Sequence, residues 1–454
     1  MTRRIMLVSF ILLLFNLPTL AGEKPLKIAV FEADVTPPLG TPLCDALVIP
    51  AKEIVDTLSA RGIILFTNEK PIVLCAVDWV GVGNSGHTAF REALAKAAGT
   101  TMDRVCVHCL HQHDAPGCDF EADELLGPYK LNGKLFDPAF ARKAIDRVAT
   151  AVEKAAKNPH AVTHLGVGKA KVIDVASNRR VMGPDGKVKY VRYSSTKDAK
   201  IRAEPEGVID PYVHLLAFYD GETPLSVITY YATHPQSYYG RGGVSCDFPG
   251  LARNLRERAL PGPKHIHFNG AGGNVTAGKY NDGAPENRMI LADRLAQGMK
   301  EAYESIKKEP IDASKVSWRF TTAALPVSKL YNTKDLKVKV ADETVKEKDR
   351  LSAARGYVWA RRCEAGETID MQCLQAGSAY VLHMPGELFI EYQLAAQKMR
   401  PASSVMMAAY GDYGMGYIGT AIGYTQGGYE TGPASRVAPE VEDVLMKAMR
   451  ALLK

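Results

Sequence analysis

Apolar residues in this chain gather in short runs separated by longer amphipathic stretches. Runs at 26–31, 62–66, 72–80, 104–110, 213–218, 226–232, 265–268, 379–384 and 404–409 predict strands. Helical patterns lie between many of them, at 88–98, 137–157, 248–258, 287–306, 335–362, 387–399 and 439–453. Over 139–152, for example, apolar residues recur at three- and four-residue spacing. Strands and helices alternate in the first and last thirds. This predicts an α/β fold: a layered, mixed β-sheet core flanked by helices, with functional side chains on loops at strand ends. Residues 160–193 read as hairpins and loops. The lysine-rich stretch at 335–350 reads as a solvated helix face. No repeat, low-complexity tract or Ser/Gly linker divides the chain, so 25–454 are expected to form a single domain.

Composition narrows the class. The chain has 454 residues, 46% hydrophobic and 23% charged, as in an ordinary soluble globular protein. Its net charge of +6 is small for the size. Basic residues form no stripe and do not interleave with aromatics, which argues against nucleic-acid binding. At the N-terminus, Arg3 and Arg4 precede an apolar run from 5 to 17, and Thr19-Leu20-Ala21 supplies small residues for cleavage. This pattern predicts a signal peptide over 1–21, and the run is too short for a spanning helix. No later stretch is long enough to cross a membrane. The mature chain is therefore expected to be exported, to the periplasm or beyond. There its eight cysteines become potential disulfides, with Cys363–Cys373 and Cys118–Cys246 as the pairs expected. Cys106 and Cys109 lie inside an apolar strand and read as buried thiols.

Candidate chemistry sits at the exits of the apolar runs. The first is Leu110-His111-Gln112-His113-Asp114-Ala115-Pro116-Gly117. In an extended chain residues i and i+2 share a side, so a strand here would deliver two imidazoles to one place. Neutral imidazole binds zinc and transfers protons near neutral pH. Three similar exits follow: Ala232-Thr233-His234-Pro235, Met384-Pro385-Gly386-Glu387-Leu388, and the glycine-rich loop from Gly411 to Thr420. Glu387 is expected to open the next helix, where both metal ligation and a helix-start charge suit a carboxylate. Strand, tight loop and polar residue, four times over, predict one site at the carboxyl ends of strands.

The ordered set of motifs resembles the catalytic domain of the neutral/alkaline, non-lysosomal ceramidase family. Asp34-Val35-Thr36-Pro37-Pro38 resembles its D-[IV]-T-P signature, and Leu110-His111-Gln112-His113 with Pro116-Gly117 its T-H-[TS]-H-x-G-P-G. Ala232-Thr233-His234-Pro235 matches A-T-H-P, and Pro385-Gly386-Glu387 matches P-G-E. Tyr417-Ile418-Gly419-Thr420 resembles Y-[IV]-T-T, and Tyr429-Glu430 stands where the family has a second Y-E. The resemblance implies a zinc ion held by His111, His234, Glu387 and Tyr417. Tyr417 could instead donate a hydrogen bond to an oxyanion, and both roles stay open. The resemblance also implies that His113 and Tyr429 orient substrate or stabilise the tetrahedral intermediate. Asn178-Arg179-Arg180 resembles the family's N-R-S, which makes Arg179 a substrate or oxyanion contact; a surface arginine is the plainer alternative.

Two departures stand out. The family's G-D-[VI]-S-P-N turn, whose serine is assigned as nucleophile, is replaced by Gly273-Asn274-Val275-Thr276-Ala277-Gly278. Thr276 keeps a hydroxyl, but a polar loop residue is the simpler reading, because metal-activated water needs no protein nucleophile. The family's C-terminal immunoglobulin-like domain is not expected, since the chain ends with the predicted helix 439–453. The resemblance implies a zinc-dependent hydrolase cleaving an amide bond in a small lipid or N-acyl substrate, and the signal-peptide pattern implies export; the absent immunoglobulin-like domain and an aromatic content of only 8% argue against ceramide itself. An ester or lactone fits the same machinery. Two other classes remain: a metal-stabilised binding protein without catalysis, and a metal-independent hydrolase using Thr276.

Overall fold

A computed structural model describes residues 25–454. The expected signal segment, 1–21, lies outside the described residues. The chain forms an α/β fold built on three mixed sheets, which follow one another along the sequence. The first holds β1 (Lys27–Asp34), β2 (Ser59–Phe66), β3 (Ile72–Val77), β4 (Val105–Cys109) and β5 (His160–Ala161), in the spatial order β4-β3-β2-β1-β5. The second holds β6 (His164–Lys171), β7 (Tyr212–Asp220), β8 (Thr223–Tyr231), β9 (Lys264–Asn269) and β10 (Lys307–Pro310), in the order β9-β8-β7-β6-β10. The third holds β11 (Val316–Ala323), β12 (Ile369–Ala376), β13 (Ala379–His383) and β14 (Ser404–Ala408), in sequence order.

One topology recurs in all three. An antiparallel pair (β2–β3, β7–β8, β12–β13) is followed by a crossover to a parallel neighbour: β3 to β4, β8 to β9, β13 to β14. Each crossover carries a helix: α1 (Ser85–Ala98), then α4 (Asp247–Ala259), then α8 (Ile390–Met399). The other long helices are α2 (Phe120–Leu126), α3 (Pro138–Ala156), α5 (Asn287–Glu304), α6 (Thr333–Ala341), α7 (Glu347–Glu364) and α9 (Val441–Leu452). The sequence shows no repeat, yet the fold repeats its supersecondary unit.

Burial explains the continuous apolar runs. Ile72, Leu74 and Ala76 of β3 face a central core, shared with Ile228 and Tyr230 of β8 and with Ala379 and Val381 of β13. The intervening Val73, Cys75 and Val77 face outward, under α1 and α3. The outer faces of the second and third sheets are covered in the same way, by α4 with α5 and by α8 with α9. Both faces of each crossover strand are therefore dry, and a one-residue slip would exchange its two apolar sets. Strand exits are held in place by this core.

Several expectations change. The stretch 335–362 is two helices, α6 and α7, separated at Asp342–Lys346, where the chain leaves helical geometry. Glu387 does not open a helix: Glu387–Leu388 is a short strand, and the helix starts at Ile390. Within 160–193, hairpin pairing does occur, between Arg180–Met182 and Val188–Val191, but His164–Lys171 is a full member of the second sheet. All eight cysteines are free thiols, so neither expected disulfide is formed. The side chains pack elsewhere: Cys118 lies against Gly86, Cys246 against Gly250 and the Asn254 amide, and Cys373 points at the Leu374 carbonyl. Among the described residues, no helix is long and apolar enough to cross a membrane.

Candidate metal centre and its cavity

The three crossovers converge at the carboxyl ends of their strands, where parallel α/β pairs place sites. In each unit, one strand's exit carries a polar side chain and its parallel neighbour's exit holds that residue in place. His111 follows β4; its backbone N–H donates to Trp79 and its Nδ1 to Val80, both in the exit of β3. His234 follows β8; its N–H donates to Val275 at 2.9 Å and its Nδ1 to Gly272 at 3.1 Å, both past β9. Glu387 follows β13; its N–H donates to Gly416 at 2.9 Å, past β14. Glu387 and Tyr417 are register partners in a two-residue parallel ladder, which is why they meet.

His111 arrives differently from the strand alternation expected. β4 ends at Cys109, and His111 has φ of 68°, a left-handed conformation that is costly for a residue with a Cβ. His111 and His113 still end close, with ring centroids 5.4 Å apart, but a turn brings them together rather than a pleat.

Four expected residues share one buried point. His111 Nε2 lies 3.1 Å from Glu387 Oε2, His234 Nε2 lies 3.5 Å from the same oxygen, and Tyr417 Oη lies 3.4 Å from His234 Nε2. His111, His234 and Glu387 are each 1% exposed, so water cannot satisfy these atoms. Both imidazoles spend their Nδ1 protons on backbone carbonyls, leaving Nε2 as a lone pair. His111 Nε2 and Glu387 Oε2 have no hydrogen-bond partner despite their closeness. A proton or a metal cation between these two atoms would satisfy both. Tetrahedral zinc with ligands at about 2.0–2.1 Å has ligand–ligand edges of roughly 3.3–3.4 Å. The 3.1–3.5 Å separations fit that ion, as do imidazoles oriented from behind by carbonyls.

Charge states follow from burial and neighbours. Burial, with Arg179 and His111 close by, pushes His234 well below its usual value, and burial with His111 and Arg179 does the same for His113. Burial alone would raise Glu387, but His111, Arg179 and the Tyr413 hydroxyl outweigh it and hold the carboxyl below its usual value. Burial and Glu387 push Tyr417 well up, so it carries its proton.

The remaining expected residues divide. Arg179 is 2% exposed; its Nη1 lies 3.3 Å from Tyr417 Oη and donates to Tyr429 Oη as well. It is set there by a ladder in which Ser177–Asn178 pairs with Val275–Thr276, and by its own N–H on Asn274. The surface-arginine alternative is therefore excluded. Tyr429 Oη is 3.3 Å from Tyr417 Oη, and its ring stacks on Tyr193. His113 is half-buried, against Tyr239, with Nδ1 unpartnered. Thr276 is fully buried, donates its hydroxyl to the Tyr193 carbonyl at 3.0 Å, and does not line the cavity above the cluster. That cavity has a volume of about 320 Å³, with His113, Glu387, Tyr417 and Tyr429 among its walls.

Sequence reading missed Tyr410 and Tyr413. Tyr410 stacks on His111, with centroids 4.6 Å apart, and Tyr413 donates to Glu387 Oε1 at 3.0 Å. Tyr413 lies inside the glycine-rich loop, whose glycines drew attention away from its aromatic residue. Tyr410, immediately before that loop, has φ of 62°, which only the backbone reveals. A second buried group, Cys106, His108 and His383, also offers clustered ligand atoms. There His108 Nδ1 donates to Ala409 at 2.8 Å, His383 Nδ1 lies 3.1 Å from His108 Nε2, and Cys106 Sγ faces Gln372 Oε1 at 3.5 Å. Burial lowers His108 to about 3 and raises the thiol. Those contacts form a neutral hydrogen-bonded brace between the first and third sheets.

No protein-family model matches the chain, and neither does any curated protein. Solved structures do. Neutral ceramidase from Pseudomonas aeruginosa superposes with a TM-score of 0.69 at 15% identity, over 94% of this chain and 74% of that one. A ceramidase complexed with C2 superposes with a TM-score of 0.68 at 14% identity, over 94% and 75%. The chain therefore has the neutral ceramidase fold, as its motif order suggested.

Proposed function

We propose that this chain is an exported, zinc-dependent hydrolase that cleaves the amide bond of an N-acyl compound, with residues 25–454 acting as one catalytic unit. The observation that carries the reading is the set of buried acceptors at His111, His234 and Glu387, closed by Tyr417, beneath an open cavity. These four residues would hold the metal. Bound zinc supplies Lewis acidity and a water acidic enough to attack a carbonyl near neutral pH. Val80 and Gly272 orient the imidazoles, and the Tyr413 hydroxyl fixes the Glu387 carboxylate.

Arg179 and Tyr429 supply hydrogen-bond donors beside Tyr417, where an oxyanion would need them. His113 lines the cavity and orients the substrate. Thr276 is given no chemical step, since its hydroxyl is spent on Tyr193. The choice of an amide rests on the fold shared with proteins named as ceramidases. Export rests on Arg3, Arg4, the apolar run and Thr19-Leu20-Ala21. The test is metal analysis of the purified protein alongside hydrolysis of N-acyl substrates. About one zinc per chain is expected, with chelation and His111→Ala each abolishing turnover. Full turnover by metal-free protein overturns the reading.

A further inference from the structure

The cavity wall carries charge that the hydrolytic cluster does not use. Lys348, Ser352 and Arg355 stand at positions i, i+4 and i+7 of α7 and form one stripe facing the cavity. Part of the lysine-rich stretch expected to be a solvated face is therefore a wall of the site. Across from it, Arg436 lines the cavity from the segment after Ala434.

Pairing decides which of these charges is free. Arg355 is matched by Asp45 at 2.5 Å, with both side chains about nine-tenths buried. Arg436 is 8% exposed; its Nη1 donates to the Gly414 carbonyl at 2.9 Å, while its buried Nε has no partner. Among the described residues, neither Arg436 nor Lys348 forms an ion pair with any carboxylate, and Arg179 below them contacts two phenols instead. Glu387, the other carboxylate in the wall, is committed to His111 and Tyr413. The free charge in the cavity is therefore positive. It stands close to the reacting centre, because Arg436 and Lys348 line the same cavity as Glu387 and Tyr417. A neutral ligand filling this space would leave the Arg436 and Lys348 charges without a counter-charge, whereas an anion in the cavity supplies one.

We infer that the cavity selects N-acyl substrates bearing an anionic group, a carboxylate, phosphate or sulfate, near the scissile bond. The inference rests on the hydrolase reading for the bond cleaved but not for the anion preference. The test is calorimetric binding to the zinc-loaded protein of three compounds whose sulfonamide cannot be hydrolysed: N-octylsulfonyl-glycine, its phosphonate counterpart, and the neutral glycinamide. Both anions are expected to bind on the order of tenfold more tightly than the amide at low salt, with the gap closing at high salt. Which of the two anions leads shows whether the cavity favours a planar carboxylate or a tetrahedral oxyanion. Lys348→Met should shrink the preference several-fold; this exposed position keeps the fold intact.

A preference unchanged in Lys348→Met, or one that persists at high salt, overturns the inference. So would equal or tighter binding of the glycinamide, or no binding of any of the three. Turnover of N-octanoyl-glycine and its amide, measured in parallel, reports on the hydrolase reading separately: no turnover with the anion preference intact sinks that reading alone.

Discussion

Two buried clusters offer metal ligands, and thermal stability separates them. Zinc bound only by the folded chain stabilises it by RT ln(1 + [L]/Kd), about 4 kcal/mol when free zinc is a thousandfold above Kd. For 454 residues, with unfolding entropy of about 2.1 cal/mol/K per residue, this raises Tm by roughly 4 °C over a chelated sample. Glu387 is the anionic member of the His111–His234–Tyr417 set and is 1% exposed. Glu387→Gln keeps the shape and removes the charge, so most of the zinc-dependent shift should vanish. His108→Gln is the control. It breaks the Ala409 and His383 hydrogen bonds and should lower Tm through lost buried bonds, at about 1–3 kcal/mol, while leaving the zinc-dependent shift intact. Scanning calorimetry with zinc or chelator on the three proteins reads all of this. A shift that survives Glu387→Gln but disappears in His108→Gln would move the metal to the Cys106–His108–His383 group and refute the assignment.

Other outcomes follow from the same contacts. Arg179→Met removes a buried donor beside Tyr417 and Tyr429 and should lower kcat by about 10²–10³ with KM little changed; an unaltered kcat excludes an oxyanion role. Thr276→Ala should leave turnover within about threefold while costing roughly 1 kcal/mol for the lost Tyr193 hydrogen bond; loss of all activity would make Thr276 the nucleophile. Asp119 caps α2 and is buried; burial raises its carboxyl to about 7, against the Asn84 hydrogen bond. A raised carboxyl binds its proton more tightly when folded, so its destabilising effect grows as pH rises from about 4 to about 7 and is constant above. Asp119→Asn, which keeps the cap, should gain in Tm over the wild type across that window, and parallel pH–Tm curves would exclude the burial argument.

Much of the fold was legible because the crossover strands are dry on both faces and read as apolar runs. The strands that escaped notice break that rule. β11 is an edge strand whose Ser317, Arg319 and Thr321 stand among apolar residues at half-buried positions. β6 contains Gly166 and Gly168, which read as loop. They are there because α5 and the segment after it pack so tightly on the strand that a Cβ at Gly168 would strike the Ala302 carbonyl. The positions of His111, His234, Glu387 and Tyr417 were visible as polar residues at strand exits, but their convergence was not, since it depends on backbone hydrogen bonds between exits far apart in sequence. The disulfide expectation failed for a related reason. Cysteine spacing along the chain says nothing about which neighbours the sulfurs meet once they are packed under Gly86 and Gly250.

The pairing of strand exits also explains why the site is spread over the whole chain. One crossover unit can fix one ligand firmly, because its two parallel strands end side by side and the second exit supplies carbonyls or N–H groups to the first. It cannot supply a full coordination set, since both exits leave in the same direction and only a few residues reach the centre. Three units around a common core supply one ligand each, and Tyr417 is added by the exit that holds Glu387. The strain at His111 and Tyr410, both with positive φ, is borne where β4 and β14 are anchored in buried sheet. Cys109 N–H on the Tyr410 carbonyl ties these two strained turns together across the first and third units. Movement of one sheet against another would therefore be felt first as a change in the His111–Glu387 separation. On this argument, core substitutions at Phe268 or Met406, which lie between sheets and touch no ligand, should weaken zinc affinity along with stability, whereas equally destabilising substitutions under the outer helices, such as Val148 beneath α3, should spare it.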